Sequence, residues 1–520
     1  MTERQGQLAQ PTQAGIHRRL VVGWISKGMG IGITFGEQIL LVPVFLVLWG
    51  PERYGDWLVL LSTAGFIALL DTGLQTYYAN AMQASLSRNQ PDAFHRLFHQ
   101  GTALYATILC VSLPLVGLAV TQADWNSLLN LREAGANSTQ EILLVLALYF
   151  LITLPFGMAN AVYRAHGHFA TSIMVGNLVR LGLLAAVALS LWTGGSMAAL
   201  SIVYVVVTLA SWAAMIAHQK KRYADLRYGV AWPNRAAFKD LLSVAPLYAV
   251  IPAAMLITAH ATVIMISTLA AAGKSVVMYT TMRTLTGIAR MVMDQIMHVT
   301  GVEIARQYAE DDARALKTLY DFVGRLAGGI CGTLAGLIAF IGPPFLAIWT
   351  VGKVPFDAGI FWPLLATAGF AGPSVAGVSV LLFINKPGGM ARAHAIAAGT
   401  VLCLGLLLIP SLGAAGAAWS VLIAETCVLS ILMPIQAGKI IGGSALRQIV
   451  QIQVTAIAAF AISGTGAAVA QLVTGDHNLT SLVGMGFIWA LLVVVPLYYL
   501  LFNKSRREWI ADRIRERLPR

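Results

Sequence analysis

Apolar runs long enough to cross a bilayer recur along this whole chain, and they leave it few folds to adopt. A membrane-crossing helix takes about 20 apolar residues. Fourteen runs meet that length, at 21–48, 57–81, 98–120, 141–163, 169–192, 197–217, 241–270, 276–302, 322–349, 359–384, 392–410, 414–435, 449–473 and 480–502. In hydrocarbon every backbone N–H and C=O must be satisfied inside the protein, so only helices and closed barrels span. The runs are continuous and do not alternate, which favours helices over barrel strands. Composition agrees. The chain is 57% hydrophobic and 11% charged, where a soluble domain carries roughly 25% charged residues. These values exclude a soluble globule and a disordered chain. The expected fold is an all-α polytopic membrane protein of about fourteen transmembrane helices.

Lysine and arginine set the expected orientation. Arg4, Arg18, Arg19 and Lys27 precede or open the first run. The loop at 218–240 carries Lys220, Lys221, Arg222, Arg227, Arg235 and Lys239, and the loop after the eighth run carries Arg306, Arg314, Lys317 and Arg325. The opposite loops hold only Arg53, Arg132, Lys274 and Lys353. Both termini are therefore expected in the cytoplasm, which also requires an even number of spans. Residues 1–20 read as a polar cytoplasmic tail and not as a cleaved signal. The basic loop 218–240 separates a first six-helix bundle, 21–217, from a second, 241–438, as in a duplicated transporter. Two additional helices occupy 439–502. The basic tail 503–520, with Trp509, Ile510, Ile514 and Leu518 near one face, reads as an amphipathic segment on the inner leaflet. Prolines such as Pro114, Pro155, Pro363, Pro410 and Pro434 fall inside runs, where they can bend helices.

The net charge of +12 sits in membrane-flanking loops, so the partner it implies is an anionic lipid surface and not nucleic acid. Cys110, Cys331, Cys403 and Cys427 all lie within runs and read as small core residues. Ala272-Gly273-Lys274-Ser275 resembles the end of a phosphate-binding loop, but Thr268 stands where its first glycine belongs. No metal-ligand spacing or nucleophile elbow occurs, and no cofactor is implied.

The informative residues are ionisable groups inside runs, each costing at least about 2.5–3.5 kcal/mol at a helix centre. In the eighth run Arg283, Arg290, Asp294 and His298 are spaced seven, four and four apart, with Gly287 on the same stripe. At 3.6 residues per turn they share one helix face. Such a stripe is expected to face a wet cavity, with Arg283 free to meet a ligand and Arg290 able to pair with Asp294 at i,i+4. Lys27, Glu37, Asp71, Arg180 (three residues after Asn177), His260 and Glu425 add further charge. Lys27 can snorkel to the surface, and His260 can be a satisfied core group. Glu37, Asp71, Asp294 and Glu425 are the candidates for binding a counter-ion or balancing the arginines. Together these residues describe a hydrophilic cavity with cationic patches.

Pro51-Glu52-Arg53-Tyr54-Gly55-Asp56-Trp57 followed by Leu70-Asp71-Thr72-Gly73-Leu74 resembles the first two spans of the polysaccharide repeat-unit flippases. These belong to the multidrug/oligosaccharidyl-lipid/polysaccharide exporter superfamily. Tyr163-Arg164-Ala165 with Gly167 and Asn177, and Tyr279 to Asp312 including Glu303-Ile304-Ala305-Arg306, are similar to its fourth, fifth and eighth spans. Many relatives carry proline before that glutamate, where this chain has Val302. The resemblance covers about 50–85, 150–190 and 275–320. It implies two pseudosymmetric six-helix bundles around a central cavity, with two appended helices. It also implies movement of a polyprenyl-diphosphate-linked oligosaccharide across the bacterial cytoplasmic membrane by alternating access. A polysaccharide polymerase and glycosyltransferases would be partners in the same synthesis. Lys27, Arg180, Arg283, Arg290 and His260 would then contact the substrate, since a diphosphate calls for charge-assisted donors. The alternatives are a drug or cation antiporter of the same fold and a peptidoglycan-precursor lipid flippase. A membrane glycosyltransferase or polymerase would need a sizeable loop of catalytic residues, and the loop 121–140 offers only Asp124, Arg132 and Glu133.

Overall fold

The computed structural model describes residues 13–71, 73–270, 273–384, 386–475, 478–502 and 507–508. The tail around Trp509–Leu518 lies outside them. Seventeen helices follow in chain order among these residues: α1 (Gln13–Gly65), α2 (Leu74–Ser87), α3 (Pro91–Gln122), α4 (Trp125–Leu128), α5 (Ala136–Ala165), α6 (Phe169–Trp192), α7 (Met197–Arg222), α8 (Arg235–Leu269), α9 (Lys274–Ala309), α10 (Ala313–Trp349), α11 (Ala358–Gly369), α12 (Gly372–Phe383), α13 (Pro387–Leu412), α14 (Ala414–Ile423), α15 (Ser430–Ile441), α16 (Ala445–Thr474) and α17 (Leu479–Leu501). No strand occurs among the described residues. Large apolar side chains such as Trp192, Leu472 and Leu491 stand mostly exposed. A soluble protein would bury them, whereas a helix facing lipid need not. This is a multi-pass membrane protein.

Eleven described helices are long and apolar enough to cross a membrane, or twelve if the bent pair α11–α12 is one span. The expected number is fourteen, and two elements account for the difference. Gly28–Asp71 is a single apolar segment by length and composition, yet it breaks at Gly50, whose φ of 76° interrupts the helix. It therefore contains the first predicted run and the start of the second. The other is α9, which carries the charged stripe and does not qualify by apolarity. The second run is also less regular than its pattern predicts. A 3₁₀ turn at Phe66–Asp71 and a left-handed Gly73 (φ 76°) separate Asp71 from Gln75, and Asp71 then caps α2 by accepting from the Gln75 N–H.

The chain divides into two compact units. The first comprises Met1–Val44, Leu70–Gln122 and Gln140–Ala245. Small residues let its helices meet. A Cβ at Gly101 of α3 would lie 2.3 Å from the Met158 methyl of α5. Gln219 donates to the Ala159 carbonyl at 2.9 Å and accepts from Tyr228. At one end of this unit, histidines fasten the basic loop after α7. His95 Nε2 lies 3.0 Å from the Asp225 carbonyl, and His99 Nε2 lies 2.8 Å from that of Arg227. His166, in the turn between α5 and α6, stacks on Tyr223 at 4.1 Å and meets the edge of Phe94. Burial pushes this imidazole below its ordinary value, with the neighbouring His95 adding to the effect. A depressed histidine stabilises the fold while neutral and loses that contribution as pH falls below the ordinary histidine range. Thermal midpoints of wild type and His166→Gln are accordingly expected to converge on acidification, because only wild type loses the His166 contribution there.

The second unit comprises Phe45–Leu69, Ala123–Thr139 and Pro246–Arg520. Its longest seam joins α10 to α16. Gly324, Gly328, Gly332 and Gly336 recur every fourth residue and so form one stripe on α10. A Cβ at Gly332 would sit 2.0 Å from the Ala456 carbonyl oxygen, and one at Gly328 2.4 Å from that of Ile452. Glycine thus lets two backbones touch, the membrane form of close helix packing. Ser463 Oγ donates to the Thr333 carbonyl at 2.6 Å and accepts from Trp489 Nε1 of α17 at 3.0 Å, which fastens the last helix to the same seam.

The Pro51–Trp57 motif is explained within this unit. Glu52 accepts from the Lys274 N–H at the start of α9. Gly55 allows close approach to Gly273, whose carbonyl oxygen would lie 2.3 Å from a Cβ there. Asp56 is fully buried, and its Oδ2 accepts from the N–H groups of Arg132, Glu133 and Ala134 at 3.0, 2.7 and 3.2 Å. Losing charge-assisted bonds and leaving their donors buried costs about 1.5–3 kcal/mol. Asp56→Ala is expected to lower stability by that amount, read as the thermal midpoint of purified protein, with Asp56→Asn intermediate.

Candidate functional site

Helix α9 supplies the centre of the site. Arg283, Gly287 and Arg290 lie two turns apart end to end on one face, as the spacing predicts, and all three line one cavity of about 310 Å³ within the second unit. Thr286 of the same helix, Thr258 of α8, Thr367 of α11, His394 of α13 and Glu425 add to its polar wall. Arg283 Nη1 donates to the Ala259 carbonyl at 3.1 Å and to Thr262 Oγ1 at 3.4 Å. Its guanidinium also lies 5.9 Å from the centre of the Tyr279 ring. These contacts aim the group without cancelling its charge, since none is anionic. Gly287 opens into the cavity, because nothing lies within 4 Å of a Cβ placed there. Gly287→Leu is therefore expected to fill the cavity and suppress transport while leaving the thermal midpoint unchanged or slightly higher, because leucine is the better helix former. Transport by reconstituted protein and melting of the same sample check both halves.

Arg290 takes part in an ion pair that spacing alone did not disclose. Its Nη1 donates to Glu425 Oε2 at 2.8 Å. The Asp294 side chain, its expected i,i+4 partner, lies outside the described residues, as do those of Lys27 and His298. Glu425 sits on a π-helical turn, Ala424–Leu429, between α14 and α15. Such wide turns recur at functional sites. The glutamate side chain is 5% exposed and that of Arg290 41%, so the pair is buried at the carboxylate and wet at the guanidinium. Ser374 Oγ of α12 lies 2.6 Å from Glu425 Oε1. Among the described residues the wall holds two arginines and one carboxylate, an excess of positive charge.

The remaining candidates lie elsewhere. His260 packs against Gly65 and Phe66 and does not line the cavity. In the first unit Arg180 of α6 donates to Thr34 Oγ1 of α1, and its charge acts on Glu37 one turn further along α1. Asn177 packs against Gly30, where a Cβ would lie 2.7 Å from its amide oxygen. Asp71 accepts from the Tyr105 hydroxyl and the Gln75 N–H, and among the described residues it makes no ion pair. The charges are thus grouped by unit: Glu37 with Arg180 in the first, and Arg283, Arg290, Glu425 and His394 in the second. His394 and Ser374 were not singled out from sequence. His394 falls at the start of a run, where a histidine reads as interfacial, and Ser374 is an unremarkable residue until Glu425 is placed beside it.

No family model matches the sequence, and no curated protein matches it. Solved structures do. An inward-facing multidrug resistance MATE-family transporter of the MOP superfamily aligns with a TM-score of 0.62 at 14% identity, covering 82% of this chain and 96% of that one. The lipid II flippase MurJ, in an inward closed conformation, aligns with a TM-score of 0.68 at 10% identity, covering 94% of this chain and all of that one. The chain has the fold of the MOP-superfamily transporters. A further MOP-superfamily transporter, from Pyrococcus furiosus, aligns with a TM-score of 0.56 at 15% identity, covering 81% of this chain and 96% of that one. At these identities the likeness is one of fold, and the cavity has to argue the rest.

Proposed function

We propose that this protein moves a polyprenyl-diphosphate-linked oligosaccharide repeat unit from the inner to the outer leaflet of the bacterial cytoplasmic membrane, for surface or exopolysaccharide synthesis. It acts as a transporter and not as an enzyme. The observation that carries the reading is the cavity wall, where Arg283 and Arg290 meet a single carboxylate among the described residues, Glu425. A diphosphate is recognised by such charge-assisted donors. A cationic drug would meet repulsion there. The alignment with a lipid II flippase over 94% of the chain is in keeping with a lipid-linked cargo and equally with the peptidoglycan-precursor alternative. Membrane potential can drive the step. A charge crossing is worth about 2.3 kcal/mol per 100 mV, so a head group of about −2 leaving a negative interior gains roughly 5 kcal/mol per 100 mV.

Deletion in the native host tests the reading, with lipid-linked sugar intermediates and surface polymer both assayed. Intermediates accumulating on the inner face with polymer lost are expected. Unchanged polymer together with altered sensitivity to cationic drugs would point to an antiporter instead, with Glu37, Asp71 or Glu425 as the cation site.

A further inference from the structure

We propose that Glu425 is a built-in stand-in for the substrate anion at Arg290, and that an arriving anion displaces it as the carboxylate takes up one proton. The inference rests on the reading of the cavity as an anion site. Its geometry has three parts. Arg290 already holds a carboxylate oxygen at 2.8 Å, the arrangement a phosphate oxygen would adopt. The guanidinium is the wetter partner, so an anion in the cavity can approach it while the glutamate stays in the wall. A carboxylate left in that wall without its counter-charge is strongly disfavoured unless it is neutralised.

Ser374 supplies the third part. Its hydroxyl lies within hydrogen-bond distance of two acceptors, Glu425 Oε1 at 2.6 Å and the Ala371 carbonyl at 2.9 Å. A hydroxyl has one hydrogen. With an ionised Glu425 it serves one acceptor only. With a protonated Glu425 both contacts are satisfied at once: the new carboxyl O–H donates to Ser374 Oγ, and the serine hydrogen goes to Ala371. The site is therefore built to hold the neutral acid as well as the ion pair. The step balances. The Arg290–carboxylate contact breaks, an Arg290–anion contact forms, and one proton from cavity water closes on Glu425. Cavity charge is restored when the anion leaves and the proton follows it, so a head group of about −2 crosses with a net charge of about −1, worth roughly 2.3 kcal/mol per 100 mV.

The groups facing Glu425 can be named element by element. Arg290 comes from α9, with Arg283 two turns away on the same face; Asp294 follows one turn on, its side chain outside the described residues. Ser374 comes from α12, and His394 from α13 interacts electrostatically with both members of the pair. Helix α14 carries no titratable side chain, and the only one in α15 is Lys439, about 20 Å further along at 1.5 Å per residue. Among the described side chains His394 is thus the one rival for the proton.

Sulfate binding to purified full-length protein tests this, because the sulfate charge does not change through the range in which a buried carboxyl titrates. Calorimetry gives affinity at each pH, and a weakly buffered sample gives proton uptake. In wild type the dissociation constant is expected to rise about tenfold per pH unit wherever Glu425 is ionised, with one proton taken up per sulfate. Glu425→Gln is expected to bind sulfate more tightly, with no pH slope and no uptake. Ser374→Ala, which keeps the ion pair, is expected to weaken sulfate binding at a given pH because the neutral acid loses its acceptor. A pH-independent wild type, or uptake that persists in Glu425→Gln and so belongs to another group, overturns the proposal. Sulfate binding that is insensitive to Arg290→Ala and Arg283→Ala, or absent in every variant, overturns the anion-site reading itself.

Discussion

Arg290→Ala is expected to abolish transport and to destabilise the protein together. The transport loss follows from removing one of two cavity guanidinium groups. The stability loss follows from Glu425, which stays in a wall where its side chain is 5% exposed with its counter-charge gone. Breaking a buried pair by deleting one partner costs about 3–5 kcal/mol. The lower end applies here, because the Arg290 side chain is 41% exposed and water screens part of the interaction. The two effects can be separated. Adding Glu425→Gln to Arg290→Ala is expected to restore most of the thermal midpoint and none of the transport. Arg283→Ala is expected to lose transport with a smaller stability penalty, since its contacts are a carbonyl and a hydroxyl. A double-mutant cycle on Arg290 and Glu425 measures the coupling directly. A coupling near zero would show that the pair contributes nothing to the fold.

Gly332→Leu is expected to have the largest purely structural effect. A Cβ at this position would lie 2.0 Å from the Ala456 carbonyl oxygen, and the obstacle is backbone, so no rotamer change relieves it. Helix α16 has to move away. Overpacking of ordinary cores costs about 1–3 kcal/mol and occasionally more; a backbone collision belongs at or above the top of that range. Because Ser463 ties α10, α16 and α17 together through Thr333 and Trp489, the displacement should loosen both final helices. Reduced accumulation in the membrane and a lower thermal midpoint are the expected results. An unchanged midpoint at unchanged accumulation would contradict the seam. Gly287→Leu on α9 serves as the contrast, since the same change there meets open space.

Helices were legible in the sequence because the bilayer requirement is severe and continuous apolar runs satisfy it in only one way. The spacing of Arg283, Gly287 and Arg290 was legible for a similar reason, since helical periodicity alone puts them on one face. What the sequence did not disclose was pairing across distance. Asp294 stood four residues from Arg290 and was the natural partner by local rules, while Glu425 is 135 residues away and reaches the arginine only because α9 and the π turn line one cavity. The break at Gly73 escapes a reading of 57–81 as one span, although Asp71, Thr72, Gln75 and Thr76 around it are polar. The glycine stripe on α10 was visible at every fourth position, but a glycine spacing states that backbones can approach and does not state which partner does so. The roles of Glu52, Gly55 and Asp56 were likewise masked, because each acts on a backbone group far along the chain.

The most direct test of the central claim is reconstitution of the purified protein into liposomes carrying a polyprenyl-diphosphate-linked oligosaccharide. Exposure of the sugar is followed with a membrane-impermeant reagent as a potential is imposed. The account predicts protein-dependent transfer, faster when the starting side is negative and lost in the Arg283→Ala, Arg290→Ala double variant at equal incorporation. Transfer at the wild-type rate by that double variant, or no transfer of the lipid by protein that exchanges a cationic drug for protons, would contradict it.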